Sequence, residues 1–99
     1  MASGWVSGNK ALNLSGGGTI AAVINSIRGN NAFPVSIQKN GTASYSDCPA
    51  GYLTNEWNLL LFGDSARLTA ILSIYPADVS VFKRDFFNGD WIGSWMRLH

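Results

Sequence analysis

The sequence predicts a mainly β domain, a small antiparallel sheet or sandwich with one short helix near residues 19–28. Apolar and polar residues alternate with a period of two in several runs, which is typical of strands that bury one face. Turn formers such as Asn40-Gly41 and Asn88-Gly89 separate these runs at short spacing. At least five strands are predicted to follow one another in this way, as they do in antiparallel sheets and small sandwiches.

The composition indicates a single domain with few charges on its surface. A chain of 99 residues buries only about 60–65% of its unfolded surface, so a lone copy has a small core. Charged residues make up 13% of the chain, whereas a typical protein has about 25%. We therefore expect partner chains to cover part of the surface. We assign residues 1–18 to an N-terminal segment or linker that is partly ordered, and residues 19–99 to one β-rich domain.

The N-terminal segment ends in a glycine-rich stretch, Ser15-Gly16-Gly17-Gly18. Consecutive glycines lose much conformational entropy when they are ordered, so this stretch predicts a hinge or boundary. A phosphate-binding loop is the alternative, but the stretch lacks the lysine and the second spaced glycine of a P-loop. Downstream, Thr19 is a candidate helix cap, and apolar residues recur at helical spacing up to Gly29. Their β-branched side chains leave a strand as the alternative.

The middle of the chain predicts three strands and a loop. Phe33 to Lys39 alternates like a half-buried strand, Asn40-Gly41 turns the chain, and Thr42 to Tyr45 is the predicted return strand. An irregular loop follows. Asn55 to Phe62 contains an unbroken apolar run, which predicts a central strand that is buried on both faces.

The last third predicts an amphipathic strand and a closing hairpin. In Ala66 to Tyr75, alternate residues are apolar, and the alternation in Val81 to Phe87 places Phe82 and Phe86 on one face. Asn88-Gly89 is a strong hairpin signal, and we expect the following tryptophans to fold back over the preceding strand. The predicted structural core comprises Trp57, Phe62, Leu72, Phe82, Phe86, Trp95 and Leu98.

Residues that carry catalytic or metal chemistry are scarce. The only histidine, His99, is the last residue, and the only cysteine, Cys48, has no neighbouring cation to activate it. We therefore expect no enzyme activity, no cofactor and no metal site. Asp85 and Asp90 leave a small glycan-processing hydrolase as a weaker alternative, in which the two carboxylates would face each other across the turn.

The distribution of charged and apolar residues argues against two further classes of interaction, binding to nucleic acid and insertion into a membrane. The formal net charge is +1, and the seven basic residues are scattered, so we expect no binding to nucleic acid. No stretch approaches the roughly 18 apolar residues of a membrane span, so we expect no membrane insertion.

The second half of the chain contains glycine and tyrosine before two strands, and then a closing run with arginine, aromatic residues, Asn-Gly and two tryptophans. These residues are Gly51, Tyr52, the strands Trp57 to Phe62 and Arg67 to Ile74, Arg84, Phe86, Phe87, Asn88, Gly89, Trp91, Trp95 and Leu98. In this respect the second half resembles the knob-type domain near the tips of R-type pyocin fibres and of many bacteriophage tail fibres. In that family a Gly-x-Tyr segment precedes two strands and a closing run of this kind.

The resemblance implies a non-catalytic domain that recognises the host surface, either a bacterial surface glycan or an outer-membrane component. It also implies a homotrimer, located at the tail-fibre tip of a virion or on an extracellular phage-derived particle. Shallow sugar sites combine an aromatic ring with planar hydrogen-bonding groups. The candidate ligand-binding residues are Tyr75, Arg67, Arg84, Asp90 and Trp91. The alternative is a structural module of a tail or baseplate, or a cap, without receptor contact.

Overall fold

A computed structural model describes residues 12–75 and 80–99. In this part of the chain the secondary structure consists of six strands and one helix. In chain order, the elements are β1 (Leu12–Leu14), α1 (Ile20–Ile27), β2 (Val35–Lys39), β3 (Glu56–Gly63), β4 (Arg67–Tyr75), β5 (Val81–Phe87) and β6 (Asp90–Arg97).

The strands form a single sheet in the order β1-β2-β3-β4-β5-β6. Strand β1 pairs with β2 in parallel, and α1 lies between these two strands in the chain. All later neighbours are antiparallel. The prediction of a mainly β fold with one short helix is confirmed, and the β1–β2 pair makes the sheet mixed. Of the predicted N-terminal segment, residues 12–14 form this edge strand, and residues 1–11 lie outside the described part of the chain.

Helix α1 forms although several of its residues are β-branched, because its N-terminus is capped twice. The Thr19 side chain accepts a hydrogen bond from the Ala22 N–H at 3.0 Å. The Asp47 carboxylate, which lies far along the chain, accepts from the N–H groups of Ile20 at 2.7 Å and Ala21 at 2.9 Å. These bonds satisfy N–H groups that have no partner within a helix, and the negative charge favours the helix N-terminus.

The core lies on one side of the sheet, which we call the core face. Helix α1 and the loop 40–55 cover this face, and both contribute buried side chains to it. The buried residues include Trp57, Leu72, Phe82 and Phe86, which the sequence assigns to the core. Trp95 is partly buried and packs against the same cluster. The buried apolar residues are Ile20, Ile24, Val35, Ile37, Tyr45, Cys48, Trp57, Leu59, Leu61, Leu68, Ala70, Leu72, Ile74, Phe82 and Phe86.

Two residues that the sequence assigns to the core are exposed, namely Phe62 at 42% and Leu98 at 50%. In β3 only Trp57, Leu59 and Leu61 are buried, so the prediction of burial on both faces is wrong. Phe62 belongs to the opposite side of the sheet, which no second layer of the described residues covers. Leu98 follows the last residue of β6. We call the uncovered side, which carries Phe62, the open face.

The predicted return strand over Thr42 to Tyr45 is also wrong. The antiparallel partner of β2 is β3, and the residues between them form the loop 40–55. Lys39 explains this arrangement, because its buried ammonium donates to the carbonyl oxygens of Gly41, Thr54 and Asn55 at 2.9 to 3.2 Å. The ammonium thereby joins the two ends of the loop. Burial lowers the pKa of Lys39 below its ordinary value.

The β5–β6 hairpin follows the prediction from Asn88-Gly89. Asn88 has φ of 51° and Gly89 has φ of 102°, the left-handed angles that a tight two-residue turn requires. Asn is one of the few residues that tolerate such angles, and Gly has no Cβ to clash. The turn carries the chain directly from Phe87 into Asp90, which are register partners.

We predict that the protein loses stability at alkaline pH through Cys48. Burial raises the pKa of this thiol from 9.0 to about 11, Asp47 acts in the same direction, and Lys39 and the Trp57 indole oppose it. Between pH 9 and pH 11 the folded chain therefore binds more protons than the unfolded chain, so the free energy of unfolding falls as pH rises. The expected loss from this thiol is about 2 kcal/mol.

Urea unfolding across this pH range measures the loss. Burial also raises the pKa of Tyr45, which adds to the loss, whereas the lowered pKa of Lys39 opposes it. A Cys48→Ala variant retains the part of these two contributions that comes from burial and is the matched control. Between pH 9 and pH 11, the free energy of unfolding should fall more steeply with pH for the wild type than for the variant. Equal slopes would show that the thiol does not titrate differently on folding.

Candidate ligand-binding site

The five candidate residues from the sequence do not form one site. Arg67, Tyr75 and Asp90 are exposed residues of the open face, whereas Arg84 and Trp91 are turned toward the core face. Arg67 and Tyr75 occupy opposite ends of β4. Only Arg84 and Trp91 meet, with the guanidinium carbon 4.8 Å from the centre of the indole ring.

Asp47 connects the loop, the helix and the last strand. Its carboxylate accepts from the Trp91 indole N–H at 2.8 Å, in addition to the two backbone N–H groups of α1. Its backbone oxygen accepts from the Trp95 indole N–H at 2.6 Å. Both β6 tryptophans therefore have their polar ends fixed by the same loop residue, which sets the orientation of both rings.

The rings themselves form a continuous stack on the core. Phe86 and Trp91 meet edge to face with centroids 5.2 Å apart, and Trp91 and Trp95 are tilted at 5.1 Å. Such pairs contribute about 0.5–1.5 kcal/mol beyond the area that they bury. Phe86 is 1% exposed and both tryptophans are partly buried, so one edge of the stack reaches the surface at Trp95.

A bulge in β6 shapes the surface around this stack. The register of β5 and β6 shifts between Lys83 and Asp85, and Gly93 there has φ of 65°. The Gly93 carbonyl accepts from Arg84 Nε at 2.9 Å. This bond holds the guanidinium against the tryptophan rings, 5.9 Å from the centre of the Trp95 ring. Bulges commonly redirect side chains in this way.

A cavity of about 450 Å³ opens beside the exposed edge of Trp95, and we call it the Trp95 pocket. Loop residues form one wall, and residues of β5 and β6 form the other. Its volume lies within the range of about 300–1,000 Å³ that is common for small-molecule sites. The lining residues are Ser46, Asp47, Cys48, Pro49, Ala50, Tyr52, Phe82, Arg84, Ser94, Trp95 and Arg97.

Two arginines contribute positive charge to the Trp95 pocket. Arg97 Nη2 donates to Ser80 Oγ at 2.6 Å, its Nε donates to the His99 backbone oxygen, and the guanidinium lies 5.7 Å from the Phe82 ring centre. Burial lowers the pKa of the Arg84 guanidinium below its ordinary value, and nearby Asp47 partly offsets that effect. Arg84 is therefore a partly desolvated cation at the wall of a cavity.

A second cavity, of about 510 Å³, lies at the hairpin end of the open face, and we call it the apolar groove. Phe62, Phe87 and Ile92 line it, and these three side chains are 42 to 54% exposed. Arg67 also lines this groove, with its guanidinium 5.8 Å from the Phe87 ring centre. The groove is mainly hydrocarbon, whereas the Trp95 pocket combines cations, hydroxyls and an aromatic edge.

The two carboxylates that a hydrolase would use lie on the open face. Asp85 pairs with Lys83 Nζ at 3.1 Å and is within 3.4 Å of the Thr69 hydroxyl. Asp90 begins β6 beside Phe87. Over residues 12–75 and 80–99, no three side chains of histidine, cysteine, aspartate or glutamate are grouped as metal ligands. No helix of this part is long and apolar enough to cross a membrane.

Reasoning from the sequence did not assign Asp47, Tyr52, Trp95 or Arg97 to a ligand site. Asp47 lies in a loop of turn-forming residues, where an aspartate needs no function to be explained. The pocket depends on contacts between residues 44 to 48 positions apart, which no local pattern reveals. The available signal was the pair Trp95 and Arg97, which alternate along the final strand.

Comparisons of the chain with protein-family models, with curated proteins and with solved structures give no match.

Proposed function

We propose that this chain is a non-catalytic recognition domain that binds a bacterial surface saccharide through the Trp95 pocket. The observation that carries the proposal is the wall of this pocket, where the edge of Trp95 and the guanidinium groups of Arg84 and Arg97 line the same cavity. Sugar rings have apolar C–H faces, which pack on an indole, and hydroxyl groups, which accept hydrogen bonds from arginine. The expected setting is the receptor-binding tip of a tail fibre, on a virion or a phage-derived particle.

The fixed orientation of the pocket residues favours binding without chemistry. The indole N–H of Trp95 is occupied by the Asp47 backbone, and Arg84 and Arg97 are each tied to oxygen acceptors. A ligand that enters this pocket therefore finds side chains that have already lost their rotamer freedom, which lowers the entropic cost of binding. Sites of this kind recognise a surface by shape and hydrogen bonding.

We further propose that the domain acts as a homotrimer in which the open face contacts other copies of the chain. Four apolar side chains of this face are 44 to 61% exposed, namely Tyr75, Phe87, Ile92 and Met96. Exposed apolar side chains spread along this face, on a chain with 13% charged residues, favour a covered surface over a solvated one. Sedimentation equilibrium at micromolar concentration should give the trimer mass, and a monomer would contradict the proposal.

A structural module of a tail, baseplate or cap is the second candidate function, and the apolar groove favours it. Phe62, Phe87 and Ile92 would there pack against another structural protein, and the Trp95 pocket would have no ligand. The two functions differ in what they predict for binding to host cells. A structural module shows no binding that depends on the bacterial strain.

Blocking the Trp95 pocket should abolish saccharide binding without unfolding the protein. Ser94 lines the pocket and is exposed, so a Ser94→Tyr substitution places a ring in the cavity without disturbing the core. We expect the labelled wild-type protein to bind particular glycans on an array of bacterial surface polysaccharides, and the variant to lose at least about 10-fold in affinity.

A Ser65→Tyr variant is the matched control, because Ser65 is exposed and does not line the pocket. Its binding should equal that of the wild type. Loss of binding in both variants would show that the ligand lies elsewhere. Absence of wild-type binding both to the array and to intact bacteria would contradict receptor recognition and favour the structural module.

A further inference from the structure

We propose that the saccharide bound in the Trp95 pocket carries a negatively charged group, a carboxylate or a phosphate, which sits between Arg84 and Arg97. This inference rests on the proposed function and specifies the chemical class of its ligand. Both guanidinium groups line the same cavity of about 450 Å³. Arginine recognises carboxylates and phosphates through parallel N–H donors, and such charge-assisted bonds are stronger than neutral ones.

The first argument is that neither arginine forms an ion pair with a side-chain carboxylate of the described residues. Within the described residues, the ion pair shorter than 4.0 Å is that of Lys83 with Asp85, on the open face. The pocket itself contains Asp47, Arg84 and Arg97, so its formal charge is −1 plus 2, or +1. This small cavity therefore carries the same net charge as the whole chain.

The second argument is that Asp47 does not act as a counter-ion in direct contact with either arginine. One carboxylate oxygen accepts from the Ile20 N–H, and the other accepts from the Ala21 N–H and the Trp91 indole. The carboxylate is thus used to cap the helix and fix a ring. An anionic ligand is the remaining partner that would compensate the partly desolvated Arg84 cation.

The third argument concerns the donors that the arginines leave open. Arg84 uses Nε for the Gly93 carbonyl, and Arg97 uses Nε and Nη2 for His99 and Ser80. A guanidinium has five N–H groups. In the described part of the chain, Arg84 Nη1 and Nη2 and Arg97 Nη1 make no hydrogen bond. The tethered atoms fix each guanidinium plane, and the others are available to an anion.

The neighbouring surface favours an anionic sugar over a free anion or a polyanion. The Trp95 ring, Phe82 and Pro49 supply apolar contact that an inorganic ion would not use. The two arginines lie in one cavity and the other basic residues are scattered, whereas a nucleic acid backbone would require a stripe of positive charge. A pyranose ring that carries an anionic substituent uses both the aromatic edge and the cations.

The test compares charged and neutral forms of the same glycans with the intact protein. An array presents oligosaccharides that contain uronic acid, sialic acid or sugar phosphate, each beside its carboxyl-reduced or dephosphorylated form. We expect binding to the acidic forms and a loss of at least about 10-fold for the matched neutral forms. Comparing the glycans that carry uronic or sialic acid with those that carry sugar phosphate distinguishes a carboxylate ligand from a phosphate ligand. Inorganic phosphate alone should compete only weakly, because it lacks the ring contacts.

Three variants with the same change of charge locate the anion. Arg84→Gln and Arg97→Gln should each weaken binding to the acidic array glycans by about 10-fold or more. Arg28→Gln is the matched control, because Arg28 follows the last residue of α1 and lines neither cavity. It should bind within about twofold of the wild type. If Arg84→Gln fails to fold, Arg84→Lys replaces it. Lysine keeps the positive charge but lacks the parallel N–H donors of the planar guanidinium, so binding to the acidic glycans should still weaken.

The outcomes separate this inference from the proposed function. Equal binding of acidic and neutral forms, with sensitivity to Ser94→Tyr retained, would overturn the anionic ligand and leave saccharide recognition intact. Equal effects of all three Arg→Gln variants would also overturn it, because a general charge effect would then explain the binding. If no glycan of either class binds, the proposed function itself fails.

Discussion

Replacing Trp91 with alanine should lower the free energy of unfolding by about 3 kcal/mol. Trp91 packs edge to face on the buried Phe86, lies against Trp95 and donates to Asp47. The substitution removes this packing from Phe86 and Trp95, and it removes the indole donor of the Asp47 carboxylate. Because the ring closes the β5–β6 hairpin over the core, we expect the largest single effect among the residues of β6 here.

Urea unfolding of the purified variant measures this loss. Leu53→Ala is the matched control, because Leu53 is an apolar residue of the loop 40–55 that is 39% exposed and lies outside the open face. Its expected cost is below about 1 kcal/mol. Unchanged stability of Trp91→Ala would contradict the hairpin packing described above.

Replacing Asp47 with alanine should cost about 2–4 kcal/mol. The substitution leaves three N–H donors without their acceptor, two at the start of α1 and one on Trp91. It also removes a negative charge from a helix N-terminus. Asp47→Asn should cost less, because the amide oxygen still accepts from one or two of these donors.

Asp90→Ala is the control for the loss of an aspartate, since Asp90 is exposed at the start of β6. Its effect on the unfolding free energy should stay within about 0.5 kcal/mol. A double-mutant cycle of Asp47→Ala with Trp91→Ala isolates their coupling, expected at about 1 kcal/mol or more. Additive effects would show that the indole hydrogen bond contributes nothing to stability.

The closing hairpin was predictable from the sequence because local chemistry determines it. Asn88-Gly89 is one of the few dipeptides that adopt the required left-handed angles, and the alternation around Phe82 and Phe86 fixes which side is buried. Helix α1 was predictable for the same reason, because Thr19 caps it within one turn. The turn and the Thr19 cap rest on residues that are close in the sequence, whereas the second cap of α1, Asp47, does not.

The loop 40–55 and the open face were not predictable, because distant contacts determine them. Asn40-Gly41 gives a hairpin signal, yet the buried ammonium of Lys39 holds residues 54 and 55 and so makes β3 the partner of β2. The apolar run in β3 predicts burial on two faces. A continuous apolar run also fits a strand whose second face is exposed in the single chain, and Phe62 lies on such a face.

The Trp95 pocket was predictable only in part. The sequence indicates that arginine and aromatic residues would form a site, and Arg84 with Trp91 is the pair that the fold brings together. Arg67, Tyr75 and Asp90 lie on the other face, because a strand alternates its side chains and the correct face depends on what covers it. Asp47 joins the site through the loop, which carries no local signal for this position.

Hydrogen exchange of the tryptophan indole N–H groups, followed by NMR and assigned with Trp91→Phe and Trp95→Phe, tests the central claim most directly. The claim is that Asp47 fixes both β6 tryptophans, so that the contacts that close the fold also hold Trp95 in the wall of the pocket. We expect both indole protons to exchange at least about 100-fold more slowly than those of a free indole. Exchange of both at the free rate would show that the rings are not held by Asp47, and would contradict the account.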